Sequence, residues 1–188
     1  MRKIIALMHL SLDGFAADAN GGINWVAYND EVADDVHQLI EQVDTAIYGR
    51  TTYQMMAGYW PTVLTKDNPE PGELHHAQWV EAAYKLVFST TLDKVDWNNA
   101  HLARGDVAGE MARLRQQPGK DMMIFGSPVI SHEFMRLGLI DEYRLTISPV
   151  ILGQGVPYFQ KVQTTVPLQL TLSKTYANGL MMVHYVRA

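Results

Sequence analysis

An α/β fold, with a mixed and mainly parallel central sheet flanked by helices and an antiparallel C-terminal hairpin, is predicted by three observations. Short apolar runs alternate with helical patterns early in the chain, three of those runs exit into glycine, serine or threonine, and strands dominate the end around Asn178-Gly179. Alternation calls for parallel strands joined by helices, and Asn-Gly between two apolar runs is the strongest short-range hairpin signal.

Residues 4–12 form a short apolar run that reads as a buried strand, and residues 13–24, rich in Gly, Asn and Asp, read as a long loop. Val32, Val36, Leu39, Ile40 and Val43 recur at helical spacing, with Asn29 or Asp30 placed to cap the helix start. Residues 45–48 are a brief strand running into Gly49-Arg50, after which Thr51 or Thr52 can cap a second helix carrying Tyr53, Met56 and Ala57. Residues 60–72 lose periodicity, hold prolines and glycine, and read as surface loop. Residues 86–88 are a strand closing on Ser89-Thr90-Thr91, and Asp106 can cap a helix through Met111, Leu114 and Arg115. Residues 122–125 are another strand, and its exit, Gly126-Ser127-Pro128, signals a helix start with Ser127 at the cap and Pro128 at the first helical position. Gly138 supplies the stop, residues 142–150 are a strand, and Gly153-Gln154-Gly155 turns the chain. Residues 168–176 and 180–186 flank the Asn-Gly turn.

A chain of 188 residues suffices for one sizeable core, so a single domain over 1–188 is expected. Hydrophobic residues at 47% and charged residues at 19% exclude the disordered and disulfide-scaffold classes. A net charge of −5 argues against nucleic acid as a partner, and a cysteine count of 0 removes thiolate nucleophiles, disulfides and cysteine-ligated metals. Met1-Arg2-Lys3 before an apolar run mimics a signal peptide, but His9 interrupts that run and Asp13-Gly14 turns it. The strand reading is preferred, no run is long enough to span a bilayer, and a cytoplasmic location is expected.

The three strand exits, Gly49-Arg50-Thr51-Thr52, Ser89-Thr90-Thr91 and Gly126-Ser127-Pro128, stand where α/β sheets bind ligands and where helix N-termini offer free N–H groups to phosphate. Together they suggest a dinucleotide site, although the G-x-G-x-x-G fingerprint is absent, which disfavours a Rossmann architecture. Turn chemistry alone also puts glycine and serine at such exits. Asp13, Asp30 and Glu31 are the candidates for acid chemistry; a carboxyl shielded by Phe15 or Trp25 would hold a raised pKa, while the plain alternative is a turn aspartate and a helix cap. The seven histidines make no H-E-x-x-H or H-x-H pair, so no metal is expected.

The order of motifs carries a resemblance. Ser11-Leu12-Asp13-Gly14, Trp25, Tyr48-Gly49-Arg50-Thr51-Thr52-Tyr53, Phe88-Ser89, Ile124-Phe125-Gly126-Ser127, Leu139-Ile140-Asp141-Glu142-Tyr143 and residues 149–155 resemble the reductase domain of the bifunctional riboflavin-biosynthesis deaminase-reductase, a member of the dihydrofolate reductase-like superfamily. The resemblance covers nearly the whole chain, without a deaminase half. It implies a dihydrofolate reductase-like sheet and NADPH as cofactor. By position, Gly49, Arg50, Thr51 and Thr52 would meet the cofactor phosphates, Ser89 and Thr90 its adenosine end, and Gly126, Ser127, Pro128 and Val129 its pyrophosphate. Asp30, which follows Trp25 at the start of the first helix, takes the place of the carboxylate that promotes substrate protonation in dihydrofolate reductases, with Glu31 beside it and Asp13 second. Trp25, Phe15 and Glu31 would contact a small heterocyclic substrate of pterin or ribosylaminopyrimidine type. The first loop follows the riboflavin-type pattern, and Trp25 lacks the proline that precedes it in the folate enzymes. A non-catalytic protein that sequesters such a molecule in the same pocket is the alternative. The apolar late sheet, and the resemblance itself, imply a homodimer.

Overall fold

The computed structural model describes residues 1–160, 162 and 164–188. In chain order its elements are β1 (Ile4–Ser11), β2 (Phe15–Ala17), α1 (Asp30–Ile40), β3 (Val43–Gly49), α2 (Arg50–Val63), α3 (Pro71–Ala82), β4 (Tyr84–Phe88) and β5 (Ala100–Ala103). There follow α4 (Val107–Arg115), β6 (Asp121–Phe125), α5 (Pro128–Arg136), β7 (Glu142–Ser148), β8 (Val156–Pro157), β9 (Leu168–Thr175) and β10 (Met181–Arg187). The chain divides into two compact units, Met1–Arg2 with Asp30–Met123, and Lys3–Asn29 with Ile124–Ala188.

The first unit carries its strands in the order β5-β4-β3-β6, with β3 and β4 parallel and β4 and β5 parallel. The register pairs Gly49 with Phe88, so the chain leaves β3 and β4 side by side. Helix α1 buries Val32, Val36, Leu39 and Ile40 of the predicted apolar stripe, while Val43, its last expected member, lies beyond the helix as the buried first residue of β3; the first turn of α1 holds Asp30 and Glu31, where carboxylates favour the positive end of the helix. Two elements depart from the sequence reading. Residues 60–72 are only partly loop, because α2 continues to Val63 with Pro61 in its last turn and α3 begins at Pro71. Pro71 fits the first position of α3, where its missing N–H costs nothing, whereas Pro61 removes one backbone bond close to the end of α2, two residues before the helix stops. The cap is also misassigned: α2 starts at Arg50, Gly49 is its cap without a side-chain bond, and Thr51 and Thr52 lie inside the first turn.

Within the second unit the order is β1-β7-β10-β9, with β1 and β7 parallel and β7, β10 and β9 antiparallel in turn. The predicted hairpin closes through Gly179 N–H to Tyr176 C=O at 2.9 Å, and Gly179 takes the positive φ of 84° that the turn requires. A second, two-stranded sheet pairs β2, inside the stretch 13–24 read as loop from sequence, with β8, which follows the turn expected at 153–155. Gly155 makes that approach possible, since a Cβ there would lie 2.1 Å from the Ala17 carbonyl oxygen. Helix α5 begins as predicted, with Ser127 at the cap and Pro128 next, but Ser127 reaches the cap in the left-handed region at φ 52° and makes no side-chain cap bond. Gly138, at φ 64°, ends the helix. The α/β fold, parallel in its interior strands with an antiparallel C-terminal hairpin, is as the sequence predicts. Among the described residues, no helix is long and apolar enough to cross a membrane.

Candidate functional site

The first unit brings two of the three predicted exits together. Arg50, exposed at the first position of α2, donates from Nη1 to Thr91 Oγ1 at 2.9 Å, which spans the β3 and β4 exits. The Ser89 hydroxyl is an acceptor for the Thr91 and Leu92 amides at 3.1 and 3.0 Å, so it shapes the turn as well as facing outward. Thr90 is exposed beside it. The helix start leaves backbone N–H groups without a side-chain cap, next to a guanidinium and two hydroxyls. That donor set fits a phosphate monoester. Asp30 and Glu31 stand exposed at the start of α1.

In the second unit Asp13 is differently placed from the acid expected of it. Its carboxylate accepts the Ser11 hydroxyl at 2.7 Å, the Leu152 amide at 3.1 Å and the Gly153 amide at 2.8 Å. These bonds, that of Ser11 first, hold its pKa down at about 2. Sequence reasoning anticipated a raised value from shielding by Phe15 or Trp25; the hydrogen bonds to the charged form act the other way, and Asp13 stays ionised. Phe15 donates its amide to Ser11 Oγ at 2.9 Å and pairs with Pro157 in the small sheet. Trp25 donates its indole N–H to the Gly22 carbonyl at 3.1 Å. Gly126 donates its amide to the Leu7 carbonyl at 3.0 Å and turns the chain at positive φ with Ser127; Ser127 is buried, while Val129 is exposed.

A polar group that sequence reasoning passed over lies on one face of the β1–β7 pair. The register sets His9 opposite Thr146 and Ser11 opposite Ser148, at the carboxyl ends of two parallel strands. Alternate residues of a strand share a face, so the four side chains form one polar patch. The Ala27 amide donates to Ser148 Oγ at 3.1 Å, Asn178 donates to the Ala27 carbonyl at 2.8 Å, and the Tyr28 ring meets His9 edge-on at 5.5 Å. The segment after Trp25 therefore lies over this patch. His9 Nδ1 is 2.5 Å from Thr146 Oγ1, and burial lowers the imidazole to about 4. The only sequence signal was a histidine in an otherwise apolar run; its partner stands 137 positions away.

The family model of the RibD C-terminal domain matches residues 2–182. The uncharacterized protein YyaP of Bacillus subtilis (strain 168) is 31% identical over 184 residues, which is 98% of this chain and 94% of that protein. Among solved structures, a protein from Shewanella sp. PV-4 provisionally designated a riboflavin biosynthesis protein superposes with a TM-score of 0.78 at 26% identity, over 99% of each chain. Dihydrofolate reductase from Enterococcus faecalis, complexed with NADP(H), superposes with a TM-score of 0.63 at 13% identity, over 98% of this chain and 96% of that one, and so shares the fold.

Proposed function

Because the chain belongs to the RibD C-terminal domain family, we propose that it is a reductase that uses NADPH to reduce a flat, polar heterocycle of the pterin or ribosylaminopyrimidine class. The observation that carries this reading is the joined pair of exits in the first unit, where Arg50 reaches Thr91 beside the uncapped start of α2. A guanidinium with hydroxyl neighbours suits the 2′-phosphate that distinguishes NADPH from NADH. The fold shared with an NADP(H)-holding dihydrofolate reductase supports the same cofactor.

When bound, the reduced nicotinamide supplies a hydride, and the matching proton has to come from the protein or solvent. Gly49, Thr51 and Thr52 offer backbone and hydroxyl donors beside Arg50, and Ser89 and Thr90 flank the adenosine end. In the second unit, Gly126 to Val129 present the pyrophosphate-binding turn that the family resemblance assigns. Asp30 relays the proton from the start of α1, with Glu31 beside it, while Asp13 anchors its loop to residues 152 and 153 as a permanent carboxylate. Phe15 and Trp25 border the heterocycle. The chain acts as one domain in the cytoplasm, and as a homodimer through β9, the edge strand, where Leu168, Leu170 and Leu172 are 37%, 49% and 42% exposed.

Turnover tests the reading. Oxidation of NADPH in the presence of a ribosylaminopyrimidine or a dihydropterin, followed by loss of the dihydronicotinamide absorbance, is expected for wild type. The rate should drop in Asp30→Asn, least at low pH, where solvent protons substitute for the relay. Tight heterocycle binding with no oxidation would establish sequestration instead.

A further inference from the structure

The buried end of the His9–Thr146 pair determines what its open end offers. Thr146 is fully buried in β7, and among the described residues its hydroxyl has one hydrogen-bond partner, His9 Nδ1. If Nδ1 carried the proton and donated to Thr146, the hydroxyl hydrogen would be left buried without an acceptor, which is unfavourable. If Thr146 donates to Nδ1, nothing is orphaned, and the proton of the neutral ring sits on Nε2. The imidazole titrates far below neutrality, so this is the form present under working conditions. The ring is half-buried, its Nε2 has no partner among the described residues, and Tyr28 stands edge-on beside it. A fixed Nε2–H donor next to an aromatic ring, on a patch whose other polar groups are hydroxyls, is a reader of acceptors.

We infer that His9 is a specificity-determining residue whose Nε2–H donates to a carbonyl oxygen of the bound heterocycle, so that the site takes oxo-pyrimidine or oxo-pteridine rings in preference to their amino counterparts. This rests on the heterocycle reading above and narrows it. An amino group in the carbonyl's place would set donor against donor. A carboxylate-dominated site would show the opposite preference, because a carboxylate accepts from amino groups. Thr146 is a positioning residue, acting only through the ring it orients.

Two measurements on the full chain decide it. Two-bond proton–nitrogen correlation spectra of the labelled protein should show His9 with its proton on Nε2, and lumazine, a dioxopteridine, should shift that nitrogen. Fluorescence titration should give wild type a preference for lumazine over diaminopteridine of about 2- to 12-fold, the worth of one neutral hydrogen bond. His9→Leu should bring the two affinities to parity; Thr146→Val, which keeps the shape of the strand, should mix the tautomers and shrink the preference. A proton on Nδ1, or a preference that survives His9→Leu, overturns the inference and leaves the reductase reading standing. Failure of both pteridines to bind wild type overturns the heterocycle reading, and the inference with it.

Discussion

Asp13 and Gly153 are joined across 140 positions of sequence by a 2.8 Å bond from the Gly153 amide to the Asp13 carboxylate. The Leu152 amide binds the other oxygen, so one side chain fixes the loop after β1 against the turn that precedes β8. The family-type Asp13-Gly14 motif is thus a clamp. Its stability is linked to pH. The folded-state pKa of about 2 lies below the ordinary 3.8, so the folded state prefers the ionised form; the contribution is complete above pH 3.8 and is lost as pH falls toward 2. Wild type should therefore lose thermal stability across that interval, and Asp13→Asn, which has no charge to neutralise, should lose less. Parallel melting curves would remove the clamp.

His76 makes a second pH prediction, in the first unit. Its buried ring stacks on Trp60 at 4.2 Å, and desolvation, with the charges of His37 and His75 adding, lowers it from 6.5 to about 3. The unfolded chain then binds a proton that the folded chain refuses. Stability is complete above pH 6.5 and declines as pH falls below it, by an amount on the order of several kcal/mol before levelling near pH 3. Urea midpoints between pH 7 and 4 should fall more steeply for wild type than for His76→Phe, which keeps the stacking and cannot be protonated. Equal slopes would refute this.

Lys85 is fully buried at the start of β4, and its ammonium donates to the carbonyls of Glu81, Ala83 and Asn98 at 3.0, 3.0 and 2.8 Å. Trp97 covers it at 4.6 Å from the ring centroid. Lys85→Met fills the volume but strands the carbonyls of Ala83 and Asn98, while that of Glu81 keeps the Asn98 side-chain amide at 3.3 Å, so a loss of about 2–4 kcal/mol is expected in chemical denaturation, with a change in Trp97 fluorescence. A loss under 1 kcal/mol, about the scale of one net hydrogen bond, would mean that water or rearrangement satisfies them.

What the sequence made legible was local. The Asn178-Gly179 turn, the stripe of α1 and the Ser127-Pro128 helix start each depend on neighbours a few positions apart, and each appears where expected. Helix α3 was missed because His76, Ala77 and Val80 make a short buried set without an apolar stripe, and because Pro61 and Pro71 read as loop when one sits in a final turn and the other in a first. The four-residue β5 offers too little pattern to distinguish. At the candidate site, Arg50 and Ser89 could be named from strand exits, but their link through Thr91 depends on the β3–β4 register. The Asp13 value depends first on Ser11, two positions away, and then on the amides of 152 and 153, which no local pattern places there; His9 was passed over because burial lowers it and its partner, Thr146, stands 137 positions away.

Strand β9 bears on assembly. Nearly all of its residues are exposed, and as an edge it offers a row of unpaired backbone groups with three leucines beside them. Pairing with a second copy would cover both. Light scattering at micromolar concentration should report twice the 21.2 kDa chain, and Leu170→Glu should shift the protein toward monomer. Wild type at one chain mass would end the dimer proposal.

Arg50 bears on cofactor choice. Its guanidinium is exposed and held toward the β4 exit by Thr91, and among the described residues it has no ion pair to break before it approaches a phosphate. A hydrogen bond to a charged group contributes about 1.5–3 kcal/mol, which corresponds to about a 10- to 150-fold loss of NADPH affinity in Arg50→Ala. NADH has no 2′-phosphate, so its affinity should change little. Thr91→Val tests the positioning role: it leaves the charge in place and frees the guanidinium, so a smaller loss, confined to NADPH, is expected. Calorimetric titration of both cofactors against the three proteins separates the cases. Equal losses for NADPH and NADH in Arg50→Ala would mean that Arg50 meets a part of the molecule common to both, and the 2′-phosphate would have to be read elsewhere.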